Sequence, residues 1–103
     1  MSRTVVVRYR TTEDRAEENS RLVEAVFAEL AAEAPDGLRY ITLRLADGVS
    51  FVHVALVEGD ENPLTRSAAF AEFQRAIAER CAELPVASEA TVVGHYRFAD
   101  PAR

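Results

Sequence analysis

Apolar and polar positions alternate or recur along this chain in blocks that read as separate elements. The stretch "TVVVRYR" (4–10) is rich in β-branched and aromatic residues and about seven long, which is strand chemistry. From Thr12 the period changes. Thr12, Glu13 or Asp14 can cap, acids crowd the first turn, and apolar residues recur at Leu22, Val23, Val26, Phe27 and Leu30. This spacing predicts an amphipathic helix of about twenty residues, stopped by "APDG", where Pro35 breaks the helix and Gly37 supplies a turn. "LRYITLRLADGVSFVHVALVEG" (38–59) is two strand-like runs joined at Asp47-Gly48, a signal for a tight primed hairpin turn. After the polar "DENPLTRS" a second helix is expected over 67–83, with Phe70, Phe73, Ile77 and Leu84 as its apolar stripe and Pro85 closing it. "EATVVGHYRF" (89–98) reads as a fourth strand.

The predicted order is β-α-β-β-α-β, an α+β, ferredoxin-like antiparallel sheet with two helices on one face. Right-handed crossovers put the first and third strands in the centre and the second and fourth at the edges. Side chains alternate across each strand, so each strand offers two sets. Val5 and Val7, Ile41, Leu43 and Leu45, Val52, Val54 and Leu56, and Val92 form the aliphatic sets expected beneath the helices. The opposite sets hold Arg8 and Arg10, Tyr40, Thr42 and Arg44, Phe51, His53, Ala55 and Val57, and His95 and Arg97. On the helix-free face they would make a surface too apolar to stay wet and too polar for a plain core, which suits a ligand pocket or a polar dimer interface. A bulge near Gly94 would invert the last set.

At 103 residues with no linker-like stretch, residues 1–103 are expected to form one domain, small enough to gain from burying surface in a partner. The 49% hydrophobic and 28% charged composition excludes wholesale disorder. A net charge of -5, with arginines interleaved among 17 acids, argues against a nucleic-acid partner. No apolar run long enough for a signal peptide or a membrane span occurs, so no membrane partner and a cytoplasmic location are expected. All basic residues are Arg, a bias of the kind GC-rich bacterial coding produces, so Arg number alone says little. The lone Cys81 cannot form an internal disulfide and falls near the apolar stripe of the second helix, as a core thiol would.

The whole element order, the helix "AAFAEFQRAIAERCAELP" and the terminal "TVVGHYRF" resemble the dimeric α+β barrel superfamily, in particular its antibiotic-biosynthesis-monooxygenase-like proteins of small, uncharacterised bacterial type. The resemblance implies a homodimer in which two helix-free sheet faces pack into a barrel, with a cavity between sheet and helices in many members. It also implies a range of activities: cofactor-independent oxygenases of phenols and quinols, haem degradation, dehydration and isomerisation. Haem-degrading relatives rely on Trp, Asn and a haem-ligating His. This chain has no Trp and only Asn19 and Asn62, which disfavours haem.

A metal site would need His53 and His95 to meet, yet no HxH, HxxxH or HExxH spacing occurs, and none is expected. Acid–base chemistry is the sharper reading. His53 would take a phenolic or enolic proton, Tyr40 would orient the substrate, and Arg8 would stabilise the anion. Arg44, Phe51 and His95 would contact the ligand. Oxidation of an electron-rich phenol by O2 begins with such a deprotonation and needs no cofactor. The opposing reading is that His53 only satisfies a polar dimer seam. Nucleophilic catalysis and phosphate loops lack any motif: there is no GxSxG, and the glycines are isolated. Two functions stay open: a cofactor-independent monooxygenase-like enzyme acting on a small aromatic, phenolic or quinone-type compound, and a non-catalytic dimeric ligand-binding or structural domain.

Overall fold

The first strand, β1 (Ser2–Thr11), is central and long enough to pair on both sides. The computed structural model describes residues 2–98. A short 3-10 turn, Glu13–Arg15, leads into α1 (Ala16–Glu33), and neither is capped by a side chain, although Glu17 and Glu18 stand in the first helical turn. Ala34 ends α1 in the left-handed region and donates its N–H to the Leu30 carbonyl. The chain then makes β2 (Leu38–Arg44) and β3 (Ser50–Glu58), then a 3-10 turn at Pro63–Arg66. Helices α2 (Ala68–Gln74) and α3 (Ile77–Arg80) and the strand β4 (Cys81–Ala90) complete the order. All pairings are antiparallel in the order β2-β3-β1-β4, the ferredoxin-like arrangement the element order predicts. No helix among the described residues is long and apolar enough to cross a membrane.

The hairpin between β2 and β3 turns over five residues, 45–49, rather than as a two-residue primed turn. Only Gly48 takes a positive φ, and the Asp47 carboxylate closes the loop by accepting from the Val49 and Ser50 backbone N–H groups. Gly37 packs its backbone against β3: its carbonyl accepts from the Glu58 N–H, and a Cβ there would meet the Glu58 oxygen at 3.1 Å.

Three expectations are corrected. The helix predicted over 67–83 ends at Gln74, breaks at Ala76 (φ 63) and resumes only as far as Arg80. Its buried C-terminal Arg80 turns inward instead of continuing a surface helix. The fourth strand begins at Cys81, so Cys81 and Leu84 belong to β4, not to a helical stripe. Pro85 does not stop an element. It falls where two β4 residues oppose one of β1, between the Arg8–Val86 and Arg10–Glu83 pairs, a bulged site on an edge strand where a missing N–H breaks no ladder bond. The stretch 91–98 lies outside the sheet, because β4 already occupies that edge of β1, and Val93 is 98% exposed.

The third correction concerns the faces of β2 and β3, which are opposite to expectation. Register pairs Val7 with His53 and Thr42 with His53, so these side chains share the face on which β1 presents Val5, Val7 and Tyr9. That face packs under the helices: Tyr9, Phe51, Val23, Val26, Leu64 and Phe73 form the buried core, with Leu38 and Tyr40 against it. The aliphatic sets Ile41 and Leu43, and Val52, Val54 and Leu56, look the other way, and Ile41, Leu43 and Leu45 are 42, 45 and 44% exposed.

Candidate functional site

His53 sits mid-strand on β3, directly between Val7 on β1 and Thr42 on β2. Residues two positions along a neighbouring strand lie diagonally on the same face, within reach of long side chains. Tyr9 and Tyr40 occupy those diagonal positions. The Tyr9 hydroxyl lies 2.8 Å from His53 Nε2, the Tyr40 hydroxyl 2.6 Å from Nδ1, and Thr42 Oγ1 3.1 Å from Nδ1. The imidazole centroid lies 5.3 Å from that of Phe73 on α2 and 5.3 Å from that of Tyr9.

Two further polar side chains extend the constellation. Asn19 on α1, with no exposed surface, donates its Nδ2 to the Tyr9 oxygen at 2.8 Å. Arg80, at the end of α3 and 2% exposed, donates its Nε to Asn19 Oδ1 at 3.0 Å. Its remaining nitrogens donate to the Phe73 carbonyl (2.7 Å) and the Arg75 carbonyl (3.4 Å), and its guanidinium lies over the Phe73 ring. These carbonyls end α2, where a helix concentrates partial negative charge. A cation is therefore buried against the helix end.

Burial sets the charge states. Removal from water pushes His53 down to about 4, so its imidazole is neutral at neutral pH. The same cause pushes Tyr40 up to about 12 and Tyr9 higher still, the latter opposed in part by the Asn19 hydrogen bond.

Beside this cluster lies a cavity of about 180 Å³ between sheet and helices, walled by residues that include His53, Tyr9, Tyr40, Asn62, Phe70 and Phe73. The Asn62 carboxamide oxygen is engaged by the Leu64 N–H. Groups able to carry a proton beside a largely apolar cavity can meet a small apolar molecule bound there in a low-dielectric setting. A larger open groove of about 1130 Å³ runs over the helix-free face, walled by Ile41, Val54 and Leu56 and by Val92, His95 and Phe98.

The structure brings together His53 and Tyr40 but not the other expected residues. Arg8 is exposed on the helix-free face, pairing with Val52 and Val86, so the sheet separates it from His53. Arg44 is held at the sheet edge by the Glu17 carboxylate (3.0 Å) and the Gly48 carbonyl, above Phe51. Phe51 stacks on Tyr9 in the core and does not wall the cavity. His95 belongs to the open groove. Among the described residues no three His, Cys, Asp or Glu side chains gather as a metal site.

Tyr9, Asn19 and Arg80 were not legible as site residues from composition or motif, although each left a trace. Tyr9 continues the set of Val5 and Val7. Asn19 precedes Leu22, Val23 and Val26 at helical spacing, and Arg80 follows Phe73 and Ile77 likewise. A polar residue on an apolar stripe was the available signal.

No protein-family model matches the sequence, and no curated protein matches it. Solved structures do. The Mycobacterium tuberculosis protein Rv0793 superposes with a TM-score of 0.72 at 19% identity, over 92% of this chain and 98% of that one. A candidate antibiotic biosynthesis monooxygenase of Nitrosomonas europaea gives 0.73 at 16% identity, over 89% and 90%. A single-residue variant of SnoaB, a cofactor-independent oxygenase of Streptomyces nogalater, gives 0.65 at 19% identity, over 93% and 97%. The chain thus has the fold of the antibiotic-biosynthesis-monooxygenase-like proteins.

Proposed function

We propose that this protein is a cofactor-independent oxygenase of a small electron-rich aromatic, phenolic or quinol-type compound, bound in the cavity beside His53, and that it works as a homodimer. The observation that carries the reading is the adjacency of a neutral, buried imidazole and two tyrosine hydroxyls to a largely apolar cavity. The cavity volume of about 180 Å³ suits a compound of one or two rings.

In the deprotonation step the substrate O–H proton moves to the Tyr9 oxygen while the Tyr9 proton moves to His53 Nε2. The substrate becomes an anion beside an imidazolium, and the low dielectric strengthens that pair. The anion then reduces O2. One oxygen atom enters the ring system as a carbonyl in place of two hydrogens, and the other leaves as water. Tyr9 and Asn19 take the positions near the proton that Arg8, on the opposite face, does not reach.

Engagement of both His53 nitrogens by protein hydroxyls favours a second reading, a polar core in a non-catalytic ligand-binding domain. Oxygen consumption with a panel of phenols, naphthols and naphthoquinols separates the two. Turnover is expected, and His53→Ala should lower it by roughly 100-fold or more, the usual contribution of a positioned acid–base group. Turnover unchanged by His53→Ala removes the proposed base, and binding of the panel without oxygen uptake supports the second reading.

A further inference from the structure

We infer that Arg80 and Asn19 are positioning residues that set the tautomer of His53, holding its ring proton on Nδ1 and leaving Nε2 as the proton acceptor. The logic begins at the end of the string that has no freedom. A guanidinium offers only donors, so the Asn19 atom 3.0 Å from Arg80 Nε must be the carboxamide oxygen. Asn19 has no exposed surface, so a flipped amide would find no water to replace that bond. Its NH2 group therefore faces the Tyr9 oxygen, 2.8 Å away, and the Tyr9 hydroxyl accepts. The hydroxyl hydrogen of Tyr9 is then free to donate, and His53 Nε2 stands 2.8 Å away.

A neutral imidazole carries one N–H. With Nε2 accepting, that N–H is on Nδ1, where two oxygens converge on it, Tyr40 at 2.6 Å and Thr42 at 3.1 Å. One hydrogen shared between two acceptors is ordinary geometry. The other tautomer would ask the single Nδ1 lone pair to accept from two hydroxyls and would leave the Tyr9 hydrogen without an acceptor. The donors thus run in one direction: Arg80 to Asn19, Asn19 to Tyr9, Tyr9 to His53, and His53 to Tyr40 and Thr42. Among the described residues no carboxylate forms an ion pair with Arg80, and its positive charge favours the Tyr9 oxygen as an acceptor.

The catalytic meaning of the tautomer rests on the function proposed above; the tautomer itself does not. It is read by 15N NMR of the full chain labelled at histidine, at neutral pH, with His95→Gln used to assign the two imidazoles. In the unaltered protein His53 is expected to show a protonated Nδ1 and an unprotonated Nε2. Asn19→Asp is nearly isosteric and inverts the instruction: its carboxylate accepts from both Arg80 and the Tyr9 hydroxyl. The Tyr9 oxygen must then accept from a protonated Nε2, and the tautomer should switch. Arg80→Gln, which no longer dictates the Asn19 orientation, should populate both forms. A protonated Nε2 in the unaltered protein overturns the inference even if neither variant folds, and so does a proton that stays on Nδ1 in folded Asn19→Asp. Failure of the oxygenase reading would appear differently, as absent oxygen uptake with the tautomers behaving as stated.

Discussion

Burial holds His53 neutral down to about pH 4, whereas in the unfolded chain it titrates at its ordinary 6.5. Between those values the unfolded state binds more protons than the folded one, so stability rises with pH across this window and levels off above it. The difference corresponds to a loss on the order of 3 kcal/mol from this residue as pH falls from 6.5 to 4. Urea denaturation across pH 4 to 7 should show that fall, and His53→Gln should flatten it. A slope unchanged by His53→Gln would assign the loss to carboxylates. His53 itself was legible as a candidate because an imidazole in an apolar run asks for partners. Apart from Tyr40, the groups around it were not, because Tyr9 comes from β1, Phe73 from α2, and Asn19 and Arg80 behind Tyr9 from α1 and α3, and periodicity reports a residue's face but not what crosses the core to meet it.

At the scale of elements, the division of the expected second helix into α2 and α3 rests on Ala76, whose φ of 63 places an ordinary side chain in the left-handed region. Ala76→Gly removes that strain and should raise stability by about 1 kcal/mol, a Tm increase of roughly 4 to 8 °C for a domain of this length. An unchanged or lowered Tm would mean the break is not held in this conformation. Strand order, α1, β2 and β3 were readable because each has a clear period over its own length. The end of the second helix was not. Apolar positions at 70, 73, 77 and 84 continue a helical period into what is β4, and Pro85 looks like a terminator until β4 is seen to bulge there against β1. The stripe also hid Arg80, whose burial depends on the carbonyls freed where α2 ends.

For the whole molecule, the helix-free face is the feature that most needs a covering. Ile41, Leu43 and Leu45 are each more than two-fifths exposed, beside Val52, Val54 and Leu56, and apolar area of this kind is normally removed from water. Packing against a second copy would cover it, so light scattering at micromolar concentration should give about twice 11.4 kDa. Val54→Arg should return the mass to the monomer with the circular dichroism spectrum retained, since this side chain lies away from the helical core. A monomeric unaltered protein would remove the dimer. The two faces of β2 and β3 also explain why their orientation could not be read from hydrophobicity. Both sets are apolar enough to be buried, so oil-and-water sorting alone would scarcely object if either strand lay the other way up. A core of pure aliphatics would accept both orientations. What breaks the tie is the run of hydrogen bonds from Arg80 to Thr42, whose link through His53 to Tyr9, Tyr40 and Thr42 would be cut if β3 were displaced by a single residue. The polar thread through the core thus acts as a key, admitting one alignment of the sheet and refusing its near twin.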